Sequence, residues 1–380
     1  YYAVVYERDS DIFATVMDDQ ANIIGTHSLT QGDHQSSYPE VAYEASSGYF
    51  IVVWTYDNGT NYDIRGVALS PVSGPLTSVG VVETTFNETS ASIDCNHQDG
   101  NCLVAYKVID TMSMGYIDGR LLTIDFDGID AASPESFHIS FLNKVYNPKV
   151  AWGRDQDTYL VAFDWIDGNG ELLPYYTHVK DTYDKPSQIL HASAPAVTSA
   201  DFGTGFEKFV KDVAYDPCTQ KFFIVFEYDF SGLLTDFDIY GVTIHASQAK
   251  TENLFAIAVS SMMESQPDIS FIDPANLTPA CGAMDKLIVA YEYTGSNANG
   301  ILAVELIGNS NPSAPDYAFV SESLHTPVKE VADLGANLVF APTVAGSIRP
   351  GRFLVAYVNE TIGRADINDD IHGRLFDCGL

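Results

Sequence analysis

A short apolar run ending in an aromatic ring recurs along the chain. It reads Ala3-Val4-Val5-Tyr6, Ile51-Val52-Val53-Trp54, Leu103-Val104-Ala105-Tyr106, Leu160-Val161-Ala162-Phe163, Phe223-Ile224-Val225-Phe226, Ile288-Val289-Ala290-Tyr291 and Leu354-Val355-Ala356-Tyr357. Runs this short, apolar at every position, predict strands buried on both faces. An alternating element precedes most copies: Pro39-Glu40-Val41-Ala42-Tyr43, Pro148-Lys149-Val150-Ala151-Trp152, Lys211-Asp212-Val213-Ala214-Tyr215 and Pro267-Asp268-Ile269-Ser270-Phe271. Weaker forms are Ser92-Ile93-Asp94-Cys95 and Asn337-Leu338-Val339-Phe340. A third element follows the apolar run, as Asp63-Ile64-Arg65-Gly66, Asp238-Ile239-Tyr240-Gly241 and Asp370-Ile371-His372-Gly373. Looser copies are Asp11-Ile12-Phe13-Ala14 and Tyr116-Ile117-Asp118-Gly119. A weaker fourth run closes the unit, at 23–29 in the first repeat and 81–85 in the second.

Each repeat therefore reads as four short strands, and no helical periodicity of useful length appears. The aromatic tips stand 48 to 66 residues apart, with the variation falling in loops. Four-stranded units at this period predict an all-β fold, a seven-bladed β-propeller of four-stranded antiparallel blades. The expected blades are 1–36, 37–89, 90–145, 146–208, 209–263, 264–330 and 331–380, within one domain spanning 1–380. The competing fold is an array of immunoglobulin-like sandwiches. Each of those needs about seven strands and ~100 residues, which an odd number of repeats fits badly. The first repeat supplies no strand before its apolar run, and the last supplies no clear fourth strand. The expectation is that these end blades are completed by strands outside the visible chain, or that their edges accept a neighbour's strand.

The pattern P-x-V-A-Y, then L-V-A-Y, then D-I-x-G resembles propeller-like repeats of secreted and cell-surface bacterial and archaeal proteins, over nearly the whole chain. It lacks the Trp-Asp dipeptide of one large propeller class and the Ser-x-Asp-x-Gly-x-x-Trp box of sialidases. The resemblance implies a fold and an extracellular or cell-surface location, and no reaction.

Composition narrows the function. The 380 residues carry 51 acidic against 19 basic side chains, a formal charge of −32. Such a surface repels phosphate backbones and anionic lipid, which sets nucleic acid aside. No apolar run approaches the ~20 residues of a membrane helix. The chain starts at Tyr1 inside a strand-like run, so any targeting segment lies outside it. Cys95 and Cys102 bracket a tight turn and predict a hairpin disulfide. A metal site of Cys95, His97 and Cys102 is the alternative, without an apparent fourth ligand. Cys218, Cys281 and Cys378 can form one bond and leave one thiol. Sequons at Asn58, Asn87, Asn276 and Asn359 point, with the cysteines, to an extracellular glycoprotein.

Two loops after the apolar run are rich in oxygen ligands: Asp164, Asp167, Asn169 and Glu171 in one, Asp366, Asn368, Asp369 and Asp370 in the other. Calcium is the cofactor they suggest, although neither matches the twelve-residue calcium loop. The aspartates of D-I-x-G are expected to accept backbone N–H groups in their turns. Glu40, Asp212 and Asp268 recur beside Lys149 and would be the carboxylates of a glycosidase. Tyr175 and Tyr176 could stack on a sugar, or simply cover a strand face. Zinc-helix, phosphate-loop and nucleophile-elbow motifs are absent, and Gly203-Thr204-Gly205 reads as a loop. The expected function is an extracellular, non-catalytic structural or adhesive subunit that associates with itself or with other surface proteins through incomplete terminal blades. The alternative is a carbohydrate-binding or glycoside-active propeller using acidic loops.

Overall fold

In a computed structural model the chain forms seven small antiparallel sheets in succession. Residues 31, 33–34, 111–114, 131–134, 141, 155, 181–188, 203–205, 234, 249, 273–285, 296–298, 309–316, 320–328, 334–336, 347–351, 362–368 and 378–380 lie outside the described residues. Sheet 1 holds β1 (Tyr2–Arg8), β2 (Asp11–Met17) and β3 (Ile23–Ser28). Sheet 2 holds β4 (Ser36–Glu44), β5 (Tyr49–Asp57), β6 (Tyr62–Ser70), β7 (Gly74–Pro75) and β8 (Val79–Val82). Sheet 3 holds β9 (Asn87–Cys95), β10 (Asn101–Ile109), β11 (Gly115–Asp125), β12 (Gly128–Ile129) and β13 (Phe137–Ser140). Sheet 4 holds β14 (Val145–Gly153), β15 (Thr158–Ile166), β16 (Leu172–Lys180) and β17 (Ile189–Pro195), and a single turn, α1 (Ser199–Phe202), follows. Sheet 5 holds β18 (Lys208–Asp216), β19 (Lys221–Asp229), β20 (Phe237–His245) and β21 (Thr251–Ala258). Sheet 6 holds β22 (Met263–Ile272), β23 (Lys286–Thr294), β24 (Asn299–Gly308), β25 (Tyr317–Phe319) and β26 (Lys329–Asp333). Sheet 7 holds β27 (Asn337–Gly346), β28 (Arg352–Thr361) and β29 (Asp369–Asp377).

This is the fold of a seven-bladed β-propeller. The chain packs as two compact units, Tyr1–Gly170 with Pro174–Pro195, and Glu171–Leu173 with Ala196–Leu380. Within each blade the strands pair in sequence order. In blades 2, 3 and 6 the fourth strand is split in two, both pieces pairing with the third strand. In blade 2 this corrects the expected run at 81–85, because pairing stops at Val82 and the chain turns away through Thr84. Among the described residues, blades 1 and 7 have three strands each.

The apolar runs form the second strand of each blade. Ile51, Val52, Val53, Leu103, Val104 and Phe223 to Phe226 are fully buried and flanked in their sheets by strands on both sides, and in blades 2 and 3 alternate residues of the run enter the apolar clusters of the two adjoining seams. One apolar cluster fills each described seam. Blades 1 and 2 share Ile12, Val16, Val52 and Trp54, and blades 5 and 6 share Phe223, Val225, Ile269 and Val289. The glycine of D-I-x-G makes room for the neighbouring strand of its own blade. A Cβ on Gly241 would stand 2.5 Å from the buried Phe223 ring, and one on Gly66 would stand 3.2 Å from the Val52 carbonyl.

The first strand of blades 2 to 7 carries a register break at the same place. In five of them a non-glycine residue there has positive φ: Tyr38, Ser90, Asn147, Gln266 and Ala341, at 50° to 53°. Four of these precede a proline, whose missing N–H suits a bulge that leaves a ladder position unpaired. The break corrects the last repeat. Thr343 pairs with Ala356 as Asp268 pairs with Ala290, so Pro342-Thr343-Val344-Ala345 is the true counterpart of P-x-V-A. Asn337-Leu338-Val339-Phe340 belongs to the same strand, before its bulge.

Candidate functional site

The recurrent acidic positions are joints between blades. Asp212 Oδ2 on β18 accepts the Ile269 N–H of β22 at 3.0 Å, and Asp268 Oδ2 accepts the Val344 N–H of β27 at 2.6 Å and the Thr343 hydroxyl at 3.0 Å. Ser92 Oγ accepts the Val150 N–H at 3.1 Å, Asp94 Oδ2 the Trp152 N–H at 2.6 Å, and Ser270 Oγ the Gly346 N–H at 2.9 Å. The residue just past the aromatic tip makes a second joint. Thr55 accepts the N–H of bulged Ser90, Glu227 that of Gln266 and Glu292 that of Ala341. Glu40 pairs with Lys149 across two blades. The expected glycosidase trio is thus divided among structural contacts of different blades.

A cluster of titratable groups lies where blade 2 meets blade 3. Glu88 opens β9 and is 1% exposed; Asp63 opens β6 and is 4% exposed. Thr84 donates its hydroxyl to Glu88 Oε1. Asp63 takes side-chain amides from Asn58 at 2.6 Å and Asn61 at 3.0 Å, in place of the backbone N–H groups expected of its turn. Asp118 on β11 pairs with His138 Nδ1, against which Tyr116 lies edge-on. Burial, then the charges of Asp63 and Asp118, push the Glu88 carboxyl up to about 7. Burial likewise raises Asp118, opposed by His138, and raises the Tyr106 hydroxyl. A carboxyl raised toward neutral pH among other carboxyls is an electrostatic arrangement also found in general acids. Here, however, Glu88 is buried, and the arrangement recurs. Glu264, Asp238 and Ser260 repeat it where blade 5 meets blade 6. Sequence reading missed both, although Thr84-x-x-x-Glu88 and Ser260-x-x-x-Glu264 stand at the same place before the first strand.

The other expected sites are scattered. Cys95 and Cys102 face each other across β9 and β10 in a disulfide, so neither thiolate is available to a metal with His97, which packs edge-on against Trp152. Cys218 is also disulfide-bonded; Cys281 and Cys378 lie outside the described residues. Asp164 is buried and accepts the Asn147 amide, Asp167 accepts both the backbone and the amide N–H of Asn169, and Glu171 acts on Lys208 through its charge. Asp366 and Asn368 lie outside the described residues; Asp370 is in β29. Among the described residues no group of three or more His, Cys, Asp or Glu side chains is placed to hold a metal ion. Of the sequons, Asn58 directs its amide to Asn61 and Asp63, Asn87 accepts the Tyr62 N–H, Asn359 meets His372, and Asn276 lies outside the described residues. Tyr175 packs against Trp165, and Tyr176 is buried, the strand-face role. No described helix is long and apolar enough to cross a membrane.

No family model and no curated protein matches the chain. Solved structures do. A levansucrase from B. megaterium is 10% identical, over 96% of this chain and 86% of its own, at a TM-score of 0.44. An N-acetylgalactosamine deacetylase from F. plautii is 13% identical, over 70% and 83%, at 0.43. An endo-1,5-α-L-arabinanase from Thermotoga petrophila is 10% identical, over 83% and 93%, at 0.38. Likenesses this distant carry no argument about function.

Proposed function

We propose that the chain is an extracellular, non-catalytic propeller acting as a structural or adhesive subunit. The observation that carries this reading is the use of its recurrent carboxylates: Asp212 and Asp268 hold backbone amides of the next blade, and Glu40 holds Lys149. Two disulfide-bonded positions, Cys95–Cys102 and Cys218, suit an oxidising compartment. Self-association through the edges of β1 and β29 belongs to the proposal, since an open sheet edge is a template for another strand.

The second reading is carbohydrate binding. Tyr38, Tyr62 and Phe230 are 66%, 43% and 62% exposed, Tyr62 beside the Asp- and Asn-rich turn 57–61, and such rings offer faces to sugar C–H groups. Glycan-array binding and a panel of glycoside substrates separate the readings. The expected result is no turnover, with Asp268→Asn altering the melting temperature alone. Saccharide binding lost on Tyr62→Ala would establish the second reading. Hydrolysis abolished by Asp268→Asn would overturn the first.

Calcium at the Asp164–Glu171 turn remains part of the proposal. It is expected to raise the melting temperature in millimolar calcium, an increment that Asp167→Ala removes; an unchanged increment in that variant rejects the site.

A further inference from the structure

Glu88 and Glu264 occupy one repeat position. Glu88 pairs with Val108 and Glu264 with Tyr293, each two residues past the aromatic tip, Tyr106 or Tyr291. They are 1% and 3% exposed. One oxygen of each accepts a hydroxyl four residues upstream, from Thr84 or Ser260. The other, Oε2, has no hydrogen-bond partner among the described residues. A buried carboxylate oxygen without a donor costs several times what an exposed one does, so the site calls for something to neutralise it.

The groups facing each glutamate leave few candidates. Around Glu88 stand Asp63 from β6, Asp118 from β11 and Tyr106 from β10; His138 and Arg120 act on Asp118 and Tyr106 respectively. Lys107 of β10 is turned onto the Tyr146 ring. Around Glu264 stand Asp238 of β20, Asp236 beside it and Tyr291 of β23. The largest charges acting on both glutamates are therefore negative. Asp63 already takes two amides, and no three-ligand metal group is present among the described residues. A proton is the neutralising species that needs no further ligands.

We propose that these two positions are proton-operated latches, one in each compact unit: a proton held on the buried glutamate, which faces an aspartate of the earlier blade, closes the seam, and its release to solvent loosens it. The direction follows from the shifts. Glu88 is raised from 4.5 to about 7 and Asp238 from 3.8 to about 6, each by burial first and neighbouring carboxylates after; Glu264 is raised in the same way. The unfolded chain gives up these protons near the ordinary values, whereas the folded chain keeps them. The stabilisation is complete below about pH 4.5 and fades as pH rises, until Glu88 ionises in the folded protein near 7.

The test is denaturant unfolding from pH 4.5 to 8.5 for the parent, Glu88→Gln, Glu264→Gln and the double variant. Asp127→Asn, an exposed change of equal charge, is the control. Between about pH 4.5 and 7 the parent should lose folding constant as pH rises, by up to roughly tenfold per pH unit for the Glu88 latch, with a further loss from the Glu264 latch. Each Gln variant should lose one increment of that slope and the double variant both, while Asp127→Asn keeps the parent slope. Infrared difference spectra of the native protein add a readout independent of refolding: a protonated carboxyl band at pH 6, weakened in each Gln variant and weakest in the double variant. Unchanged slopes in the Gln variants, or absence of that band in the parent, would overturn the proposal. So would stability at pH 8 that calcium restores in the parent and not in the double variant, since a cation would then hold the seat.

Discussion

Trp54→Ala should unfold far below the parent in urea, with a loss of about 3–5 kcal/mol. The indole is 1% exposed and fills the seam between blades 1 and 2, against Ile12, Val16 and Val67. Truncation removes the largest ring of that cluster and leaves a cavity that flat, doubly covered strands cannot collapse to fill. Trp54→Phe sharpens the expectation. The indole Nε1 has no hydrogen-bond partner among the described residues, so the parent already bears the cost of a buried donor. Phenylalanine removes that cost while keeping most of the ring, and its loss should be under half that of alanine. Equal losses in the two variants would show that the indole nitrogen is satisfied by water.

Asp268→Ala should cost about 2–3 kcal/mol, because it strands the Val344 N–H and the Thr343 hydroxyl together. Asp268→Ser should recover much of the loss. Serine already performs this task at position 92, where it accepts the Val150 N–H. The same urea experiment reads both variants. A silent Asp268→Ala would mean that solvent replaces the carboxylate and that the seam rests on apolar contact alone.

The repeat was legible because burial on both faces leaves an unmistakable trace: three apolar residues and a ring, seven times over. The bulge was not. Ala341-Pro342 interrupts the last first strand, and the aromatic Phe340 just before it imitates the motif's end, so P-T-V-A at 342–345 was passed over. Split fourth strands such as β7 and β8 escaped because two and four residues carry no periodicity. The roles of Asp212 and Asp268 were ambiguous for a deeper reason. A carboxylate that grips a neighbour's amide and one that attacks a sugar look alike until the neighbour is in place. Glu88 and Glu264 were hidden by polarity itself, since a charged residue at the mouth of a strand reads as exposed.

The joints made by the first strands and by the residue just past the aromatic tip run in one chemical direction. The acceptor is a side chain of the earlier blade, at Thr55, Ser92, Asp94, Asp212, Glu227, Asp268 or Ser270, and in most the donor is a main-chain amide of the later one. A main-chain donor survives nearly any substitution, so half of each connector is immune to genetic drift. Neighbouring modules can then diverge widely in sequence and still mate, provided the upstream member keeps an oxygen at one address. Shuffled or duplicated modules would inherit that compatibility without having to co-evolve it.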